Sequence, residues 1–190
     1  MRSYKVITEG EQLLTRTEVK LYLKVDSDAD DNYIDDLLVA AQRSCEEYTN
    51  RFFTETTVLQ YGDTWDDAKE LLKSHLTTMT SIQYYDSDNT LQTLATSVYT
   101  YDTALMPTRI ALKPDQSFPA LADKINAVEI KYNSGEATVG DVNFAIKQAV
   151  LLTIGHWYQN RSAVVVGSQV NEVPMSARYL LNQYKIQVIR

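Results

Sequence analysis

The residues best equipped for chemistry crowd the end of one apolar run, "AIKQAVLLTIGHWYQNR", Ala145 to Arg161. Within six positions it presents His156, Trp157, Tyr158, Asn160 and Arg161. That group reads in three ways: an active site, a nucleic-acid grip, or the end of a buried helix. Catalysis needs partners that the chain scarcely supplies. There are two histidines, His75 and His156, and one cysteine, Cys45. No G-x-S-x-G elbow is present, the glycines are too scattered for a phosphate loop, and no Cys/His pair has zinc-ligand spacing. His75, in "LLKSHLTT", reads as a strand edge or turn with no recognisable partner. Acids are plentiful, but a catalytic carboxylate pair requires geometry that spacing alone does not give. No catalytic, metal-binding or cofactor-binding residue is assigned.

Two other patterns invite a chemical reading. In "DSDADDN", Asp26, Asp28 and Asp30 copy the first three ligand positions of a calcium loop. Asp31 then stands where the loop needs Gly, and Leu37 where it needs a bidentate Glu. Acids ahead of a helix are better explained as caps. Thirteen tyrosines could form stacking platforms for bases. Tyr99 and Tyr101 fall on one strand face, and Tyr84 and Tyr85 on opposite faces. Their neighbours are Asp86, Asp88 and Asp102 rather than basic residues, so a half-buried β core or a protein-binding surface fits better.

Composition agrees. At 190 residues, 44% apolar and 23% charged, the chain has the make-up of one soluble globular domain. The net charge of −7 argues against a general nucleic-acid binder, which usually shows a basic stripe. A lone cysteine excludes an intrachain disulfide and points to a reducing compartment. No apolar run is long enough to span a bilayer, and the N-terminus has no signal-like apolar core.

The elements that must position these residues follow from periodicity. Thr15 and Glu18 form a capping box ahead of a helix of about two turns in "LTRTEVKLYLKV". A longer helix follows, with Ile34, Leu37, Leu38, Ala41, Cys45 and Tyr48 on one stripe; Cys45 is therefore core. From Phe52 to Asn133 short runs rich in Thr, Val and Tyr alternate with turns, predicting antiparallel strands. The clearest turn is Asp86 to Asn89, and Pro107, Pro114 and Pro119 fall in connecting segments. A second long helix is predicted from Asp141 to Arg161. It is apolar on more than one face, so it should be buried on several sides, with His156 and Trp157 in the core. A short helix begins near Pro174, and "KIQVIR" alternates like a strand. The expected fold class is α+β: a helical core built from an N-terminal helix pair and C-terminal helices, with a β-rich antiparallel middle segment. The whole of 1–190 reads as one domain, with the helix pair at 11–50, a β-rich insertion at 52–135, C-terminal helices at 141–184 and a tail at 185–190.

Both ends of the chain also resemble a known family. "AIKQAVLLTIGHWYQNRSAVVVG" followed by "NEVPMSARYLLNQYK" is similar to the C-terminal signature of head–tail connector (adaptor) proteins of tailed double-stranded DNA bacteriophages. The signature residues here are His156, Trp157, Tyr158, Asn160 and Arg161, then Val164, Val165, Val166 and Gly167, then Pro174, Leu180, Leu181 and Tyr184. "LTRTEVKLYLKVDSDADDNYIDDLLVAAQRSCEEYTNRFF" resembles the family's opening helix pair with its acidic joint. The similarity covers 14–53 and 145–185.

The resemblance implies a non-catalytic virion structural protein of the neck, made in the host cytoplasm and needing no cofactor. Such adaptors form a homo-oligomeric ring, typically a dodecamer, under the portal protein. The ring extends the DNA channel and gives a docking platform for stopper or tail-completion proteins. Double-stranded DNA would pass through without sequence-specific binding, which an acidic balance favours, and no membrane is involved. The loop with Val164, Val165, Val166 and Gly167, and the tail with Lys185, Ile186, Val188 and Arg190, are extended and outside the expected core. They are candidate contacts to partners, the tail to the portal by strand addition. The competing readings are a soluble enzyme or a nucleic-acid-binding module.

Overall fold

A computed structural model describes residues 2–73, 75–104, 106–161 and 173–186. Its strands are β1 (Arg2–Thr8), β2 (Thr56–Gly62), β3 (Leu76–Tyr85), β4 (Leu91–Thr93), β5 (Tyr99–Asp102), β6 (Arg109–Leu112) and β7 (Val128–Ser134). The helices are α1 (Arg16–Leu23), α2 (Asp31–Thr49), α3 (Trp65–Ala68), α4 (Phe144–Gln159) and α5 (Met175–Leu181). The α+β class is as expected. The chain forms two compact units: a β unit of 1–10, 55–137 and 186–190, and a helical unit of 11–54 and 138–185.

The β unit is built on an antiparallel sheet of order β1-β2-β7-β3-β4, with β5 and β6 as a separate pair. Every second residue of β2 and β7 is buried, the period-2 pattern of a strand with one covered face. In register, Val58 lies opposite Tyr132, and Ile130 lies between Gln60 on one side and Ile82 on the other. The buried Tyr132 hydroxyl donates to the Leu72 carbonyl. Gln60 accepts from the Leu72 amide at 2.7 Å and donates to the Glu70 carbonyl at 2.9 Å. These buried polar groups are thus partnered, as burial demands. The turn after β3 forms as its sequence predicts: the Asp86 carboxylate accepts from the Asp88 and Thr90 amides, and Asn89 takes φ 57°.

Two features of this unit depart from the sequence reading. β1 was not expected; Arg2 shares its half-buried face with Tyr4 and Val6 while Ile7 stands on the exposed face with Ser3 and Lys5, so no apolar alternation announces a strand, and pairing with β2 supplies what periodicity lacked. His75 does have a partner, since its Nε2 lies 3.1 Å from the Glu136 carboxylate.

The helical unit packs around α4. Its core joins Val19 of α1, Ile34, Leu38, Ala41 and Cys45 of α2, Ile146, Ala149, Val150 and Ile154 of α4, and Ala177 and Leu181 of α5. Only Phe144, His156 and Gln159 of α4 are exposed, which is why its sequence is apolar nearly all round. The predicted capping box is present, Thr15 accepting from the Glu18 amide and Glu18 accepting from the Thr15 amide. Polar α2 residues fix the chain where it enters and leaves. Gln42 accepts from the Leu13 amide at 2.8 Å, and buried Glu46 accepts from the Phe53 amide at 3.0 Å. Asn50 closes α2 in the left-handed region, φ 54°, a role asparagine tolerates.

The long C-terminal helix is shorter than predicted. Asp141 belongs to a 3-10 turn, where it accepts from Thr138, and Asn143 caps α4 by accepting from the Ala145 amide. The helix ends at Gln159 rather than Arg161. A dipole-complementing charge marks a helix end less closely than a residue able to bond a free amide.

Candidate functional site: the clamp at the end of the central helix

The polar–aromatic cluster ends α4, and the structure takes it apart residue by residue. His156 is exposed, contrary to its expected place in the core: at position 156 the helix has turned its face away from α2 and α5. Its carbonyl rather than its ring does the structural work, accepting from the Asn160 amide at 3.2 Å and the Asn160 side chain at 2.8 Å. Trp157, expected in the core, is half-buried and packs against the core of the helical unit. The ring of His156 faces a cleft of about 630 Å³ that it shares with Tyr22, Lys24, Gly155 and Pro174. A Cβ on Gly155 would stand 3.0 Å from the Tyr22 ring, so a larger residue there would have to push that side chain aside.

Tyr158 and Arg161 converge on one acid that sequence reasoning did not single out as their partner. The Tyr158 hydroxyl donates to Asp30 at 2.6 Å, and the Arg161 guanidinium donates to the same oxygen at 2.7 Å. Arg161 also lies over two rings, Tyr33 at 4.8 Å and Tyr158 at 4.9 Å, near enough for cation–π attraction. Tyr33 reaches the Trp157 carbonyl at 3.5 Å. The end of α4 is thus clamped to the joint between α1 and α2. Tyr158 and Arg161 hold the Asp30 carboxyl below its ordinary range, and Asp30 in turn raises the Tyr158 hydroxyl. The signal in the sequence was the acid-rich joint followed by an aromatic, "DADDNY", but nothing there indicates which of several acids meets an arginine 131 positions away.

The other acids of the joint are also matched to cations. Lys20 lies 2.7 Å from both Asp28 and Asp31. Arg16 reaches Asp31 at 2.9 Å and grips Asp35 with two nitrogens. These contacts lower the Asp28 and Asp35 carboxyls, through Lys20 and Arg16 respectively. The capping reading of "DSDADDN" is therefore corrected in part: Asp30 occupies the N-cap position of α2 but makes no capping bond with its side chain; its carboxylate is engaged by Tyr158 of α4 and by Arg161 just beyond it. Among the described residues no group of three or more His, Cys, Asp or Glu could hold a metal ion.

Chemically the arrangement fastens elements to one another. Cys45 is buried, and burial pushes its thiol up to about 11, far from a reactive thiolate. The tyrosines read as half-buried β core or protein-binding surface divide: Tyr84 packs on Trp65, Tyr85 lies under Lys124, and Tyr99 is buried while Tyr101 is exposed. No described helix is long and apolar enough to cross a membrane.

Of the residues expected to meet partners, Val164, Val165, Val166, Gly167, Val188 and Arg190 lie outside the described residues. Lys185 is exposed with its ammonium 4.5 Å from the Tyr48 ring, whereas Ile186 is buried.

No curated protein matches the chain, but solved structures do. It is similar to a chain in the neck of an empty gene transfer agent (GTA) particle computed with C6 symmetry: TM-score 0.80 at 17% identity, covering 99% of this chain and 97% of that one. A chain in the virion of the native particle gives 0.79 at 17%, covering 98% and 97%. A chain in the native neck computed with C12 symmetry gives 0.66 at 16%, again covering 98% and 97%. At such identities the likeness is one of fold, and it runs the full length of both chains. A family model described as head completion protein matches residues 12–187, nearly all of both units, and on that match the chain belongs to the head completion protein family.

Proposed function

We propose that this protein is a structural subunit of the virion neck: a head–tail connector that assembles as a ring under the portal, continues the DNA channel and receives the stopper or tail-completion protein. The observation that carries the reading is the family match over 12–187. The full-length fold similarity to neck proteins supports it, as does a site that clamps helices together. The role is non-catalytic.

A ring subunit has to bring the same surfaces to each neighbour, so its fold must be rigid where those surfaces lie. The clamp of Asp30, Tyr158 and Arg161 serves that need by fixing the start of the segment that follows α4. Twelve copies is the subunit count we favour, by analogy with the neck computed with C12 symmetry. The net charge of −7 suits a channel wall that DNA slides past, because phosphates then find few cations to replace their counterions. Asp28, Asp30, Asp31 and Asp35 are spoken for by cations of their own unit, so the lumen acids are to be sought elsewhere.

The Val164–Gly167 loop and the C-terminal tail remain the proposed contacts to partners, the tail to the portal. Because Ile186 is buried, a truncation that tests the tail begins after it. The test is to mix purified protein with portal and image the product by electron microscopy. Rings seated on the portal are expected, and a variant lacking 187–190 should keep its melting temperature but lose portal binding. Persistent monomer without portal association would overturn the connector reading. Undiminished binding by the truncated variant would overturn the role of the tail.

A further inference from the structure

Around the joint of α1 and α2 the cations are matched to acids: Arg16 to Asp31 and Asp35, Lys20 to Asp28 and Asp31, Arg161 to Asp30. Lys24, at the end of α1, is the exception. It is exposed and makes no ion pair among the described residues. Its backbone takes φ 58°, a left-handed conformation that glycine adopts freely and lysine only at a cost. A long cation thus stands where a glycine would sit more easily. Its surroundings suggest a use. Lys24 lines the cleft of about 630 Å³ with His156, Tyr22, Leu23, Leu152 and Pro174, and no acid is among the lining residues. Apolar walls beside an unmatched cation fit an apolar side chain that carries an acid next to it.

In a chain of net charge −7, a second copy can supply such a group, and one turn of the β unit has the composition. Ile125 is 78% exposed, although turn residues are ordinarily small or polar. The turn is firmly held: the Asn126 amide donates to Asp63 at 2.8 Å, and the Ala122 amide donates to the Tyr85 carbonyl at 2.9 Å. Asp123 is exposed and, like Lys24, makes no ion pair among the described residues. Lys124 does not offset it from within the contact, because its ammonium is engaged 3.4 Å over the Tyr85 ring. A contact between two different surfaces of identical subunits is heterologous, and it closes into a ring when the rotation between neighbours allows.

We propose that the Asp123–Asn126 turn of each copy seats in the cleft of the next, with Ile125 against the apolar walls and Asp123 paired with Lys24. The inference rests on the connector reading and names the contact that closes its ring. The test uses rings formed on portal. Lys24→Glu and Asp123→Lys should each abolish rings while keeping the melting temperature of the wild type, since both side chains are exposed. The double variant, with the charges exchanged, should form rings again. The chain's one cysteine is buried, so cross-linking gives a second reading. An Ile125→Cys, Ser176→Cys variant, its second cysteine in the cleft lining, should give a ladder of multimers with a short bismaleimide on a denaturing gel. Rings that survive either single reversal, a double variant no better than the singles, or intact double-cysteine rings without a ladder would each overturn the proposal. Absence of rings from the wild type would instead bring down the connector reading, and this inference with it.

Discussion

Asp30 is the residue on which the end of α4 depends, since one of its oxygens receives both Tyr158 and Arg161. Its folded-state pKa lies below the ordinary 3.8. A depressed carboxylate contributes stability that is complete above the unfolded value and is lost as the pH falls through the folded one. Thermal melts should therefore rank wild type above Asp30→Asn at pH 7, with the two curves converging below pH 3.8; equal melting at pH 7 would mean the clamp contributes nothing. The neighbouring signature residues separate in a way their sequence conceals. His156→Ala should leave the melting temperature unchanged, because the ring is exposed. Trp157→Ala should cost roughly 1–2 kcal/mol in denaturant titration, the loss of a half-buried aromatic. Cys45 gives a third check: its thiol should react with Ellman's reagent only after unfolding, because burial raises it to about 11.

At the scale of elements, a helix start was legible where the side chain that bonds the free amide was recognised in the sequence. The Thr15–Glu18 box is one such case, and Thr15→Ala should cost about 1 kcal/mol of stability by denaturant titration. The start of α4 was misplaced because Asp141 has the right charge, whereas Asn143 makes the bond. Strands β2 and β7 announced themselves by alternation. β1 did not, since its pattern acquires meaning only beside β2. Tyr132 shows what a central strand adds beyond apolar pattern. Removing its hydroxyl by Tyr132→Phe strands the Leu72 carbonyl and should cost about 1–3 kcal/mol, measurable as a lower denaturation midpoint with an unchanged slope.

At the scale of the molecule, the chain passes between its two units four times: from β1 to the helix pair, on to the remaining strands, back to α4 and α5, and to the β unit again at Ile186. Each unit is therefore assembled from segments distant in sequence, and removing residues 2–8 should injure the β unit although they are its least conspicuous strand. Without β1, β2 becomes an open edge seven residues long, and such edges pair with other chains. The truncated protein should show concentration-dependent aggregation in light scattering, whereas a soluble monomer would show β1 to be dispensable.

By itself the sequence determined the α+β class and the order of the longer helices and of the strands between them, though not β1 or the short α3, because periodicity and capping are local properties that need a dozen residues to show. It also carried the likeness at both ends that led to the family. Tertiary structure alone decided the pairings: Arg161 with Asp30, Lys20 with Asp28 and Asp31, β1 with β2, His75 with Glu136. Electrostatic and hydrogen-bond partners are chosen by proximity in space, and several acids within one turn of one another present equivalent charges until packing brings a cation to one of them. For the same reason the exposed histidine and the half-buried tryptophan, adjacent in the chain and alike in their reading, could be told apart only once α4 had been packed against its neighbours.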